Sequence, residues 1–332
     1  MRQRRVGYGG AGMTVLMMAI GCLSGATEPA QAADKYPTRP IRLLVPFAPG
    51  GGADTLARII TPKMHELLGQ PWVVDNRGGA AGNLAAETVA RANPDGYTVF
   101  EGFSTVLTVN PTLYKLPFSM QKDMQPVTLL ATAQYILVVH PSVPASSVKE
   151  LIALAKQKPG SLNYATAGVG SPLHLAGELF KKRAGIQMVP IAYKGGGPAA
   201  AAVLAGEAQL IFGSVAASLP QVKAGRLKAL ATTGAKRSKV APELPTIAES
   251  GFPGFDVGSW YALLVPAGTP AAIVKQMRDA TVKALDMPDV QQAMARQGLE
   301  PETSTPQELA ARIKRETAMW AAVIQEQGIK AE

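Results

Sequence analysis

The chain is poor in cysteine and histidine, with one Cys and three His among 332 residues. The single cysteine, Cys22, excludes an intramolecular disulfide framework. It lies in the opening segment, so no thiolate is left to serve the rest of the chain as nucleophile or ligand. His65, His140 and His174 fall on separate expected elements, which disfavours a histidine-based metal site. Charge is also sparse: Asp, Glu, Lys and Arg make up 17% of residues, and the net charge of +9 is spread thinly. No Lys/Arg run interleaves with aromatics, which excludes the basic stripe that nucleic-acid binding needs. A mildly positive surface can instead help to collect anionic ligands. Beyond the opening segment no apolar run reaches the roughly 18 residues of a membrane span.

The first residues read as an address rather than as part of the fold. Arg2, Arg4 and Arg5 form a positive start, residues 13–23 a short apolar run, and Ala30-Gln31-Ala32 a small-x-small cleavage site. Residues 1–32 are therefore expected to be an export signal, with a mature periplasmic chain starting near Ala33. The pair Arg4-Arg5 also suggests a twin-arginine signal, but the residues after it fit that pattern poorly. Lipid attachment at Cys22, after Ala19-Ile20-Gly21, is the alternative; Leu is missing at the third position before the cysteine, and residues 30–32 offer the better cut. The remaining chain, about 300 residues, exceeds what one hydrophobic core usually holds, so two lobes are expected.

What the chain does have is glycine placed after strands. Residues 45–58, VPFAPGGGADTLAR, read as the end of an apolar strand (41–45), a Pro/Gly loop, and the start of an amphipathic helix. Consecutive glycines let the backbone approach a bound group and turn N–H donors toward it. The helix start adds unpaired donors and the positive end of its dipole, a combination that suits an anion such as a carboxylate. No Lys-Ser/Thr pair follows, so this is not a nucleoside-triphosphate loop. Pro62 is expected to kink or restart the helix. The strand–helix alternation continues with strands near 72–74, 97–100, 135–139, 162–166, 188–191, 210–212, 228–232 and 260–265, which predicts mostly parallel, helix-covered sheets. In such sheets ligands bind beyond the carboxyl ends of the strands. Thr305-Pro306-Gln307-Glu308 reads as a capping box opening a helical tail with an apolar stripe of Leu309, Ile313, Trp320 and Ile324.

A second loop, residues 164–178 (YATAGVGSPLHLAGE), again passes from strand through glycines into a helix, with Ser171 at the cap and Pro172 at the first turn. It reads as a second nest of donors plus a hydroxyl, or simply as a well-capped helix. Its G-x-G-x-x-Leu spacing fails the dinucleotide fingerprint. His174 and Glu178 share a helix face but lack further metal ligands nearby in sequence, so His174 reads as a polar partner for the nearby loop rather than as a metal ligand. Ser171 and His174, three apart on one helix, make a poor nucleophile–base pair, and no G-x-S-x-G elbow exists. No catalytic residue, metal or cofactor is expected, although an exported Ser/His enzyme remains the contrasting reading. Lys194, in YKGGGP, is a solvated charge or a cleft residue.

These motifs together resemble the substrate-binding proteins of tripartite tricarboxylate transporters, the TctC or Bug family. The likeness covers essentially the whole mature chain: YPTRPIRLLVPFAPGGGADTLAR, NRGGAAGN, NPDGYT, LVVHPSVP, AGVGSPLHLAGELF, YKGGGPA and PELPTIAESGFPGFDVGSWYALLVPAGTP. It implies an α/β, two-lobed, hinged periplasmic binding protein of the Venus-flytrap kind, each lobe a mostly parallel sheet flanked by helices. Residues 33–134 and 259–332 would form lobe 1 and residues 135–258 lobe 2. The resemblance further implies a monomeric receptor that holds a small carboxylate between the two loops and hands it to a membrane permease; a sensory role at a kinase ectodomain is the alternative. The ligand-binding residues it implies are Phe47, Pro49, Gly50, Gly51, Ala53, Asp54, Ser104, Thr166, Ala167, Gly170, Ser171, His174, Gly195 and Ser214. Gly78 departs from the family, which often has Pro there, and makes the loop over residues 76–83 more flexible.

Overall fold

A computed structural model describes residues 36–331; the expected export signal, Cys22 included, lies outside them. The chain opens with β1 (Ile41–Val45), α1 (Gly52–Leu68), β2 (Trp72–Asn76), α2 (Asn83–Ala90) and β3 (Thr98–Phe103), then two short helices, α3 (Ser104–Thr108) and α4 (Asn110–Leu113). The long strand β4 (Met124–Val139) leads to α5 (Val148–Gln157), β5 (Asn163–Thr166), α6 (Pro172–Ala184), β6 (Val189–Ala192), α7 (Gly196–Leu204), β7 (Leu210–Ser214), α8 (Val215–Lys223) and β8 (Lys228–Thr232). The remainder is β9 (Gly258–Pro266), α9 (Ala271–Leu285), α10 (Pro288–Arg296), β10 (Glu300–Pro301) and α11 (Pro306–Glu326).

The expected parallel order holds where strands alternate with helices: β1 pairs parallel with β2 and β3, and β5 with β6 and β7. The strands that carry the chain between these groups add antiparallel neighbours, so each half-sheet is mixed. β9 runs antiparallel to both β3 and β4, and β7 and β8 run antiparallel to β4. β4 is the shared element. From Met124 to Gln134 it pairs with β9, and from Tyr135 to Val139 with β7 and β8. Its first part escapes the sequence pattern because Pro126 cannot donate to a ladder; the register shifts between Pro126 and Thr128, which accommodates the missing donor.

Apolar clusters fill both halves. Leu44, Phe100, Trp260 and Leu264 pack with Leu309 and Ile313 of α11 beside the first half-sheet. Leu137, Phe180, Phe212 and Phe255 centre the other, which also takes Trp320, Val323 and Ile324 from the same helix. The 259–332 stretch thus serves both cores. Its helix starts where the sequence placed it: Thr305 and Glu308 form a reciprocal capping box. Pro62, in contrast, lies inside an unbroken α1. Pro62 and Arg58, whose carbonyl loses its helical partner, are both exposed, so water can take up that carbonyl. Among the described residues no helix is long and apolar enough to cross a membrane.

Candidate functional site

The β1–α1 and β5–α6 connections leave the carboxyl ends of parallel strands in the two half-sheets, and they are built alike. In each, a glycine with positive φ precedes the helix: Gly50 at +87° and Gly170 at +71°. In each, the side chain four residues on reaches back to that glycine. Asp54 Oδ2 accepts from Gly50 N–H at 2.9 Å, and His174 Nδ1 accepts from Gly170 N–H at 3.2 Å. Such braces fix the loop in the left-handed conformation that glycine allows.

The braces have their own supports. The Arg58 guanidinium bonds both Asp54 oxygens, at 3.1 and 3.0 Å, and together with the Gly50 N–H holds the Asp54 carboxyl below its usual pKa. Burial, foremost, lowers the His174 pKa, which favours the neutral ring whose Nδ1 can accept; Nε2 faces Glu178 at 3.7 Å. Glu178 in turn takes the Tyr164 hydroxyl at 2.5 Å and Lys181 Nζ at 2.8 Å. Ser171 Oγ accepts from the His174 backbone N–H at 3.3 Å as the cap of α6. The imidazole is therefore turned to Gly170 and Glu178, not to the serine hydroxyl, and the pair does not have a nucleophile–base arrangement.

Between the loops lies a cavity of about 610 Å³, within the range of small-molecule sites. Of the residues expected to bind ligand, Phe47, Gly51, Ala53, Ala167, Gly170, Ser171 and Gly195 line it. The others are not on its wall. Pro49 and Gly50 are exposed, Asp54 and His174 lie buried as the loop braces, and Thr166 is buried with its Oγ1 accepting from Gly168 N–H. Ser104 is buried at the start of α3, and Ser214 is an exposed cap of α8 that accepts from Ala217 N–H. Lys194 is exposed and outside the lining.

The wall also holds residues that sequence reasoning missed, among them Phe103, Asn110, Leu113, Tyr114 and Tyr261. Phe103 meets Phe47 edge-on at 5.3 Å between centroids and Tyr261 at 5.2 Å. Ala81 is a further surprise, because it comes from the loop with the non-family Gly78. Ala80 and Ala81 both adopt positive φ, +46° and +55°, a conformation that costs alanine energy and that recurs at functional sites. Asn110 Nδ2 holds this turn, donating to the Ala81 carbonyl at 3.0 Å and to Asn83 Oδ1 at 2.7 Å. Among the described residues, no Lys, Arg, His, Asp or Glu side chain lines the cavity. Polar recognition falls to backbone N–H groups and to Ser171, Thr105, Asn110 and the two tyrosines.

The profile of the tripartite tricarboxylate transporter family receptor, TctC, matches residues 56–329. The chain belongs to this receptor family. A relative, protein BugT of Bordetella pertussis, is 36% identical over 323 residues, covering 96% of this chain and 99% of that one. Solved structures agree. Periplasmic binding protein BugD is 32% identical with a TM-score of 0.73, covering 90% of this chain and 100% of the other. R. palustris Rpa4515 with adipate is 36% identical with a TM-score of 0.76, covering 89% and 99%. MatC from Rhodopseudomonas palustris with bound malate is 33% identical with a TM-score of 0.72, covering 87% and 100%. The fold is thus the α/β, two-lobed fold of periplasmic binding proteins, with mixed half-sheets on either side of the cavity.

Proposed function

We propose that this TctC-family protein is a periplasmic receptor that captures a small organic carboxylate in the cavity, unchanged chemically, and presents it to the permease of a tripartite transporter. The observation that carries the reading is the uncapped start of α1. Gly51 offers no side chain to the first turn, and Gly51, Gly52 and Ala53 line the cavity, so helix N–H groups and the positive dipole end are presented to a ligand. Relatives with adipate and malate bound support the carboxylate class. Ser171, whose Oγ already accepts as the cap, can still donate its hydroxyl hydrogen from the opposite loop. The protein acts as a monomer whose lobes, residues 33–134 with 259–332 and residues 135–258, close over the acid.

The reading is tested by thermal shift and by recovery of the ligand. A carboxylate at about 100 times its dissociation constant should add about 2.7 kcal/mol of stability. Mass spectrometry of the released compound should return it unchanged. Stabilisation by neutral sugars alone, or conversion of the acid to a product, would overturn the proposal. Fractionation of cells expressing the full chain should place it in the periplasm.

A further inference from the structure

One polar group in the cavity wall has no task in the fold. Tyr135 bonds Ser259 and Tyr164 bonds Glu178 through their hydroxyls, but no group among the described residues bonds Tyr261 Oη. Tyr261 is only 7% exposed, and it lines the cavity. Buried polar groups are as a rule paired, so an unpaired phenol at this depth calls for a reason. Phenylalanine would pack against Phe103 as well and leave no donor unmatched.

The hydroxyl stands at the start of α1. A Cβ on Gly52 would lie 2.8 Å from Tyr261 Oη, so glycine at the first helical position leaves the phenol its place there. The N–H groups of Gly52 and Ala53 precede the first bond of the helix, from Thr55 N–H to the Gly51 carbonyl, and no side chain caps them. Phe47, Phe103 and Tyr261 form a ring-to-ring aromatic wall, which fixes the direction in which the phenol points. Burial foremost, and then Tyr135 and Glu101, push the phenol above its usual pKa, so it keeps a proton to donate. Among the described residues no cation lines the cavity, so a carboxylate there depends on donors alone.

Resting on the carboxylate-receptor reading above, we propose that Tyr261 is a ligand-binding, specificity-determining residue whose hydroxyl donates to the carboxylate that the first N–H groups of α1 receive. Strand β9 thus supplies, from outside the helix, a hydroxyl beside the helix start that Gly51 leaves uncapped. Gly52 serves the same contact by admitting the phenol. An ionised carboxylate, which only accepts, can take both kinds of donor.

Calorimetry on the mature protein should screen adipate, malate, citrate and benzoate, and the tightest binder becomes the probe. Tyr261→Phe keeps the ring and removes only the hydroxyl. It should weaken the probe about ten- to hundredfold and leave the Tm of the ligand-free protein unlowered. Gly52→Ala, which crowds the phenol, should weaken the probe about fivefold or more in the native chain, but by no more than about twofold in the Tyr261→Phe background. Probe affinity within about twofold of native in Tyr261→Phe would overturn the inference and leave the carboxylate reading standing. A ligand-free Tyr261→Phe that is unfolded, or whose Tm falls by more than about 3 °C, would assign the hydroxyl to the fold and overturn the inference as well. An equal cost of Gly52→Ala in both backgrounds would overturn the part given to Gly52. No binding by any of the four acids would overturn both the inference and the carboxylate reading.

Discussion

Glu101 is fully buried on β3, and among the described residues no group bonds either of its carboxylate oxygens. It stands two residues before Phe103 and so on the same strand face, and it pairs across the sheet with Leu263 as Phe103 does with Tyr261, which places it on the face that carries the aromatic wall. Burial, and secondarily the Asp54 charge, push its pKa well above the ordinary 4.5. The folded state then holds a proton that the unfolded chain has already released, so stability falls as pH rises above that ordinary value. Glu101→Gln keeps the shape and removes the ionisation. It should raise Tm relative to the native chain by more at pH 8 than at pH 5; an equal difference at both would show that no proton is held. Glu101→Leu, which also removes the unbonded polar atoms, should gain about 1–3 kcal/mol in urea unfolding at neutral pH. Glycine by glycine, the loops are equally specific. At Gly170 a Cβ would stand 2.8 Å from Leu113 Cδ1, on top of the positive φ, so Gly170→Ala should cost about 1–2 kcal/mol and displace Leu113 from the cavity wall. At Gly51, where φ is −83°, a Cβ would find its nearest neighbour 3.7 Å away, so Gly51→Ala should keep an intact fold. Denaturation curves of the two variants make the comparison.

At the scale of elements, the capping box of α11 is a local statement that survives in the fold. Thr305 N–H is bonded by Glu308 Oε2 at 2.8 Å and Glu308 N–H by Thr305 Oγ1 at 3.2 Å. Thr305→Ala should cost about 1 kcal/mol, seen as a lowered urea midpoint with an unchanged slope. Signals of this kind, caps and apolar strands such as residues 135–139, are legible because neighbours in sequence decide them. The first part of β4 is not, since its pairing with β9 is set by residues more than a hundred positions away, and Pro126 argues against it locally. The same division runs through the site. The two glycine loops are visible as strand–glycine–helix patterns, and Ser171 as a cap. His174 is legible as a polar partner of its loop, but nothing local marks Asp54 as the equivalent brace, because that role depends on the left-handed turn at Gly50. Nor does anything mark Phe103 or Tyr261, which occupy apolar strand positions like many core residues and become wall residues only when β3 and β9 pair at Phe103 and Tyr261. Ala81 is hidden for a further reason: its positive φ is imposed by the turn that Asn110 holds, against alanine's own preference.

At the scale of the whole molecule, closure over a ligand is a question of what joins the halves. β4 changes partners between Gln134 and Tyr135, and β9 begins opposite that point, with Gly258 paired to Gln134. Tyr135 Oη and Ser259 Oγ are bonded to each other there, which pins the two crossing strands together. The third connection is α11, anchored by Leu309 and Ile313 in one core and by Trp320, Val323 and Ile324 in the other. Packed cores move as bodies, so a hinge motion must be taken up along α11 between those anchors. Trp320 sits where the environment would change. Trp260, by contrast, is fully buried in the first core, donating from Nε1 to Glu316 at 2.8 Å with the Arg312 guanidinium over its ring, and would travel with its surroundings. Saturation with a binding carboxylate should therefore reduce the radius of gyration in small-angle scattering and shift the intrinsic fluorescence. The fluorescence change should vanish in Trp320→Phe and persist in Trp260→Phe. A change that survives loss of Trp320 but not of Trp260 would move the hinge out of α11 and into the crossing strands alone, and an unchanged radius at saturation would mean that the cavity fills without closure.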